Sequence, residues 1–268
     1  MTKIALALGG GGAAGLGHIP VLEAVDDLDI RPVAVAGVSA GALVGAAYCA
    51  GMDAAAIRDH VAGLTARRAQ TFMAALGVGR GLPGVGINPH RVVDALLPKA
   101  VPERFEDLQT PLTVVASDLR TRRPVEMRAG PLREALAASI AIPGLFRVVT
   151  RGDHVLVDGG VTANLPIASL PPADVVLAAD MATDPPSDDD PARVGITAAV
   201  SAMRIMMEVM VDDLVARHPP DVLIRGRVGR FRLVDYWNAA ELLDQMSDVR
   251  RETGDKLSRA LANKAACV

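Results

Sequence analysis

The chain has few aromatic residues, with one Trp, two Tyr and four Phe, or 3% of its 268 residues. Because half of the residues are hydrophobic, the core must be packed mainly with Ala, Val, Leu and Ile rather than with large rings. A chain of this length can bury a substantial core. We expect one α/β domain over residues 1–268.

The chain also lacks a strong charge and an array of cysteines. Its net charge is -3 and its pI is near 6.0, so no basic field is available to hold a phosphate backbone, and nucleic acid is not an expected partner. Its two cysteines, Cys49 and Cys267, lie far apart and show no metal-ligand spacing. This usage favours a reduced, cytoplasmic protein, and no metal or organic cofactor is expected.

One uncharged stretch, residues 32–52, is long enough to cross a bilayer, which takes about 20 residues. It contains a glycine-flanked serine, and we interpret it as a buried strand, a tight turn and a buried helix. The apolar stretch after Lys3 is interrupted by the glycine run at 9–12, unlike the continuous apolar helix of a signal peptide. The sequence therefore predicts no membrane-spanning segment.

Short apolar runs alternate with helical patterns, which is typical of a mainly parallel sheet flanked by helices. Strands are predicted at residues 3–9, 32–37, 111–117, 124–127, 146–150, 155–158, 174–179 and 222–225. The tract at 184–193, DPPSDDDPAR, is predicted to be a linker because its prolines and like charges oppose packing. Residues 194–268 are predicted to form a helical extension that ends in one long helix from about residue 236.

The segment Gly37-Val38-Ser39-Ala40-Gly41 follows a predicted strand and precedes an apolar helix. A serine on such a strand-to-helix turn is a nucleophile elbow, because the small neighbours permit a strained backbone and let a substrate approach the hydroxyl. We therefore interpret Ser39 as a candidate nucleophile, with Gly37 and Gly41 as supporting residues.

Two other motifs supply the remaining parts of an acyl-transfer site. Gly10, Gly11 and Gly12 close the first strand, and a loop of glycines entering a helix near Gly15 presents backbone N–H groups to a developing negative charge. Asp158 ends a later strand and is followed by Gly159-Gly160. Partial burial would raise the pKa of this carboxylate and make it a better base.

Taken together, LALGGGGAAGLGHIPVL, GVSAGAL, ASDL, LREALAASIAIPGLF and LVDGGVTANLPI resemble the patatin-like phospholipase family in order and spacing over residues 3–181. The resemblance implies a three-layer α/β fold and a Ser39–Asp158 catalytic dyad. It also implies an oxyanion hole formed by Gly10, Gly11 and Gly12. The implied activity is that of a serine esterase or lipid acyl hydrolase, of phospholipase A or lysophospholipase type. Peripheral contact with membranes is expected from the apolar, glycine-rich segment at residues 72–87.

Two positions depart from the family pattern. Ala14 stands where the family usually has Arg or Lys, so catalytic efficiency or preference for anionic lipid should be reduced. Pro20 replaces a usual glycine and lacks an N–H, so the helix after the glycine loop should start late or kink. The alternative function that Ala14 suggests is a catalytically impaired lipid-binding or regulatory protein, and the same nucleophile could also serve a thioesterase or acyltransferase.

Further interpretations follow from isolated residues. The spacing of Gly10, Gly12 and Gly15 fits a dinucleotide fingerprint, but the second strand ends without the acidic residue that binds ribose. A Ser-Asp-His triad would need His218, which lies in a predicted turn.

The apolar segment 72–87 is predicted to be a buried loop or a lipid-contacting lid. Four methionines at helical spacing are predicted either to pack in the core or to line an acyl-chain pocket: Met203, Met206, Met207 and Met210.

Overall fold

A computed structural model describes residues 2–64, 86–183, 196–228 and 239–266, and within them the chain forms a single α/β unit. The eight strands of these residues are β1 (Ile4–Leu8), β2 (Ala34–Val38), β3 (Leu112–Asp118), β4 (Arg123–Met127), β5 (Val149–Arg151), β6 (His154–Asp158), β7 (Val175–Thr183) and β8 (Val222–Val228). Their α-helices are α1 (His18–Asp27), α2 (Ala40–Cys49), α3 (Ala54–Ala62), α4 (Pro89–Leu96), α5 (Leu132–Ser139), α6 (Gly160–Ala163), α7 (Ile196–Arg217), α8 (Ala239–Gln245) and α9 (Ser247–Ala266).

The strands form one mixed, mostly parallel sheet in the order β5-β6-β3-β2-β1-β7-β8, with β4 also paired to β3. Strands β3, β2, β1, β7 and β8 are parallel, and β4 and β6 run antiparallel to β3. The sheet confirms the predicted fold class. Strand β1 lies between β2 and β7, at the point where strand order reverses, and α/β proteins bind ligands beyond the carboxyl ends of strands at such points.

Strands β2 and β6 lie on the same edge of β3, because β4 occupies the other edge. The last residue of β2, Val38, pairs with Val115, and the last residue of β6, Asp158, pairs with the next residue, Ala116. Since β6 runs antiparallel to β3, the two strands point towards one another and their carboxyl ends meet. The fold therefore brings Ser39 and Asp158 together from positions 119 residues apart in sequence.

All eight predicted strands are present, and the buried faces are formed mainly by Ala, Val, Leu and Ile, as the composition predicts. Asp53 and Asn88 are the N-caps of α3 and α4, since their side chains accept hydrogen bonds from the amides of Ala56 and His90. The predicted linker at 184–193 and most of the predicted lid at 72–87 lie outside the described residues.

The prediction of one continuous C-terminal helix is wrong, because Met246 separates α8 from α9. The Met246 side chain is buried, and its sulfur packs so closely over Gly17 that a Cβ there would lie 2.0 Å away. Helix α8 packs against the turn after β1, whereas α9 packs against α1. The apolar spacing continues through the break, so periodicity alone does not reveal it.

Candidate active site

Ser39 occupies the turn between β2 and α2 with φ 52° and ψ −121°, a backbone conformation that residues other than glycine rarely adopt. The turn needs glycines on both sides because neighbouring backbone is very close. A Cβ at Gly37 would lie 2.6 Å from the Cα of Ala42, and one at Gly41 would lie 2.3 Å from the carbonyl oxygen of Leu8. This local geometry is that of the predicted elbow.

Asp158 is buried at the end of β6, and its carboxylate lines the same cleft as Ser39. The amide of Gly160 donates a hydrogen bond to Oδ1 at 2.8 Å. Burial raises the pKa of Asp158 to about 6, although the Gly160 hydrogen bond and the nearby Ser39 hydroxyl act in the opposite direction. Gly159 has no room for a side chain, since a Cβ there would lie 2.2 Å from the carbonyl oxygen of Val115.

The glycine loop after β1 lies beside this pair, with Gly10, Gly11 and Gly12 facing the same cleft. The amide of Gly10 donates to the carbonyl of Asn164 at 3.0 Å, so that N–H is engaged within the fold. Gly11 and Gly12 open a 3₁₀ turn over 12–17, and amides at the start of a helical turn have no acceptor within it. Of the three amides predicted to form the oxyanion hole, those of Gly11 and Gly12 are therefore the candidates that no described residue engages.

The buried side chain of His18 is hydrogen-bonded to the glycine loop at its first residue. Its Nε2 lies 2.8 Å from the carbonyl oxygen of Gly9, and complete burial lowers the pKa of its imidazole to about 4. The ring is therefore neutral near pH 7 and donates from Nε2 to that carbonyl. Gly15 lets the turn approach α2, because a Cβ there would lie 2.4 Å from the Cβ of Ala40.

A cleft, partly open to solvent, joins Ser39, Asp158 and the glycine loop to one side of α7. Met203 and Met207 line it, whereas Met206 on the same helix is not among the lining residues and is 68% exposed. The methionines therefore divide between the cleft and the surface. Met207 packs against Gly160, two residues after Asp158, since its methyl group would be 2.1 Å from a Cβ at Gly160.

A family model described as patatin-like phospholipase matches residues 6–171. The chain belongs to the patatin-like phospholipase family. This assignment confirms the resemblance on which the dyad was predicted.

The relatives of this family member include larger proteins. An uncharacterized NTE family protein of Mycobacterium tuberculosis is 36% identical over 169 residues, which cover 63% of this chain and 45% of the relative. Patatin-like phospholipase domain-containing protein 6 of Mus musculus is 29% identical over 197 residues, 70% of this chain and 14% of that protein. This chain thus spans less than half the length of either relative. The crystal structure of VipD from Legionella pneumophila shares the fold, with a TM-score of 0.53 at 14% identity, over 95% of this chain and 67% of VipD.

The positions at which this chain departs from the patatin-like pattern lie away from the cleft. Ala14 has no exposed surface and packs in the core, so an arginine there would displace apolar side chains before it reached solvent. Helix α1 begins at His18, and Pro20 falls in its first turn, where a backbone N–H would have no intrahelical acceptor, so the missing donor costs no hydrogen bond. The late start expected from Pro20 is therefore observed.

Several residues were placed differently from, or missed by, the sequence interpretation. His218 is exposed after α7 and does not line the cleft. Asn164 and Asp180 do line it, and both are buried. Among the described residues, the Asn164 Oδ1 atom has no hydrogen-bond partner. The stretch LVDGGVTANLPI contains Asn164, but its spacing from Asp158 gives no signal that the side chain reaches the cleft.

Among the described residues, no group of three or more His, Cys, Asp and Glu side chains could hold a metal ion. None of the helices in these parts of the chain combines the length and apolar character needed to cross a bilayer. Cys49 is buried and unpaired within α2, and burial raises the pKa of its thiol.

Proposed function

We propose that the chain is a serine esterase that hydrolyses carboxylic esters of lipids, of the phospholipase A or lysophospholipase type. The observation that carries this proposal is the placement of Ser39, in its strained turn, in one cleft with the buried carboxylate of Asp158. A hydroxyl is a weak nucleophile unless a base takes its proton, and a carboxylate with a raised pKa is better matched to that task near neutral pH.

In the proposed mechanism, Asp158 accepts the hydroxyl proton as Ser39 Oγ attacks the ester carbonyl carbon. The carbonyl oxygen becomes negatively charged and accepts hydrogen bonds from the amides of Gly11 and Gly12. Each preorganised donor of this kind contributes about 2.7 to 4 kcal/mol in known enzymes. Asp158 then returns the proton to the leaving alcohol. A water molecule, deprotonated by the same carboxylate, then attacks the acyl carbon; the bond to Ser39 Oγ breaks, Asp158 returns the proton to Oγ, and the free acid leaves.

Lipid substrates are favoured by the family and by the composition of the cleft. Met203 and Met207 offer flexible apolar surface to a hydrocarbon chain, since methionine adapts to ligands of varied shape. The same helix exposes Ile205, Met206 and Val209. We propose that this apolar face of α7 lies against a lipid surface while the cleft receives a substrate molecule.

Labelling with a fluorophosphonate, followed by peptide mapping, tests the proposal without requiring the natural substrate. We expect covalent modification of Ser39, no modification of Ser39→Ala, and turnover of p-nitrophenyl esters by the parent protein alone. Labelling at another serine with Ser39 untouched would contradict the assignment. Thioester and acyl-acceptor substrates in the same assay separate hydrolysis of oxygen esters from thioesterase or acyltransferase activity. A protein inert to all of these, yet bound to lipid, would fit the impaired lipid-binding alternative.

A further inference from the structure

Ser139 is the last residue of α5 and lies in the stretch LREALAASIAIPGLF, to which the proposed mechanism gives no task. Its side chain is completely buried. Its Oγ accepts a hydrogen bond from the backbone amide of Ser39 at 2.8 Å and donates one to the carbonyl oxygen of Val115 at 2.7 Å. One hydroxyl therefore connects the predicted nucleophile to the central strand β3.

This hydroxyl takes the place of a bond in the β2–β3 ladder. The amide of Val35 donates to the carbonyl of Pro111 at 2.9 Å, and ladder bonds from one strand of a parallel pair recur at every second residue. The same alternation carried forward by four residues would join the Ser39 amide directly to Val115. Ser139 stands between these two groups, so the end of β2 is held away from β3 where the elbow begins.

The same segment also holds the other member of the predicted dyad. The amide of Asp158 donates to the carbonyl of Ala141 at 2.9 Å, two residues after Ser139. Residues 139–141 thus bind the backbone of Ser39 and the backbone of Asp158 at the gap between the facing ends of β2 and β6. The relative position of the two catalytic groups depends on this short segment.

We propose that Ser139 is a positioning residue that sets the distance between Ser39 Oγ and the Asp158 carboxylate. The inference rests on the proposed function, because it assigns these two groups to catalysis. A positive φ at a non-glycine residue persists only where surrounding contacts hold it, and the Ser139 hydroxyl supplies such a contact at the Ser39 amide. Without it, Ser39 can relax towards a direct bond with Val115, and its Oγ moves with it.

Kinetics of Ser139→Ala test the proposal. A displacement of about 1 Å can cost about 10²-fold in rate, so we expect kcat on a soluble p-nitrophenyl ester to fall about 100-fold. The rate constant for fluorophosphonate labelling of Ser39 should fall by a similar factor. KM should change less than about threefold, because Ser139 lies behind the elbow and is not among the residues that line the cleft.

Thr253→Val provides a matched control. Thr253 is also fully buried, and its hydroxyl donates to the carbonyl of Val249 at 2.7 Å within α9, away from the cleft. Each variant removes one buried hydroxyl that binds a main-chain carbonyl, so both should lower the Tm. Only Ser139→Ala should lower kcat and the labelling rate.

The outcomes separate this inference from the proposed function. A parent protein that labels at Ser39, with Ser139→Ala reacting within about threefold of it, would overturn the inference alone. A parent protein unreactive at Ser39 would overturn both. If Ser139→Ala does not fold, Ser139→Cys replaces it, since a thiol is close in size but hydrogen-bonds weakly, and the expected fall in kcat is then at least tenfold. Failure of both variants to fold would overturn the inference, because the hydroxyl would then serve the fold itself.

Discussion

At the scale of single residues, Asp158 carries a cost to the fold as well as its proposed chemical task. Burial raises the pKa of its carboxyl to about 6, from an ordinary value near 4. Between these values the native state binds more protons than the unfolded state, so the free energy of unfolding decreases as pH rises through this window. Above pH 6 the ionised, buried carboxylate lowers stability by at most about 3 kcal/mol.

Asp158→Asn should therefore increase stability while it removes activity. At pH 8 we expect the free energy of unfolding to rise by about 1 to 3 kcal/mol, and the gain to shrink as pH falls from 6 to 4. On a soluble ester, kcat should fall by about 10² to 10⁴, because the amide cannot accept the serine proton. For the parent protein, kcat/KM should fall about tenfold per unit below pH 6 as the base becomes protonated.

Urea unfolding at pH 8, 6 and 4 and a pH–rate profile measure these effects. Asp213→Asn is the control, because Asp213 is exposed on α7 and pairs with Arg217. It should change neither the rate nor the pH dependence of stability. Full activity of Asp158→Asn would contradict the proposed role as base. A loss of stability at pH 8 would contradict the raised pKa.

Ser139 illustrates the part of the site that sequence reasoning does not reach. The positions of Ser39 and Asp158 could be expected because Ser39 follows one apolar strand, Asp158 ends another, and glycines that a tight turn requires come after both; their catalytic roles stay predictions. Ser139 sits in an ordinary apolar helix, and its task exists only because β2 and β6 stop at neighbouring residues of β3. Engagement of the Gly10 amide by Asn164 is likewise a contact between distant segments that no local pattern encodes.

At the scale of elements, the central strands were predicted more accurately than those at one side of the sheet. The bounds of β1 and β2 fall within two residues of those predicted, whereas β7 and β8 pair with each other four and three residues beyond their predicted ends. The break between α8 and α9 escaped prediction because Met246 preserves the apolar spacing while its side chain fills the space over Gly17. The methionines of α7 were predicted either to pack in the core or to line an acyl-chain pocket. Met203 and Met207 line the cleft, whereas Met206 is exposed.

Because Met207 lines the cleft, its substitution should change the preference of the protein for acyl chains of different length. Met207→Trp should narrow the cleft and lower kcat/KM for decanoyl esters more than for butyryl esters. Each methylene excluded from an apolar site costs about 0.8 kcal/mol, so exclusion of two corresponds to about tenfold. Met206→Trp, on the exposed side of the same helix, is the control and should leave the ratio unchanged. Equal losses on both esters would show that Met207 serves packing alone.

At the scale of the whole molecule, the exposed apolar face of α7 is accompanied by acids that are already neutralised. Glu208 and Asp212 pair with Arg227 and Arg225, so this face presents little net charge to a membrane. We therefore expect attraction to lipid to depend on apolar burial rather than on headgroup charge. Binding of this kind is weak and reversible, and it varies little with salt concentration.

Flotation with phosphatidylcholine vesicles tests this expectation. The parent protein should associate partially, and the double variant Ile205→Glu with Val209→Glu should lower the partition coefficient at least tenfold, because two charges would have to leave water. Leu119→Glu and Val148→Glu form the control, since both positions are about half exposed and lie outside α7. Hydrolysis of a short soluble ester should not change. A parent protein that never floats would favour soluble esters as substrates.

Because β2 and β6 meet on one edge of β3, the two proposed catalytic residues lie at the ends of strands of different stability. Activity can therefore be lost while the rest of the fold stays intact. Ser39 follows a strand in the middle of the sheet, whereas Asp158 belongs to a hairpin whose outer strand, β5, is the last of the order. Peripheral strands open at lower free energy than central ones, and they do so without global unfolding. Brief detachment of the β5–β6 hairpin would carry away the base and leave the nucleophile in place. On heating, esterase activity should therefore disappear at a temperature below the Tm of global unfolding, and cooling from that temperature should restore the activity.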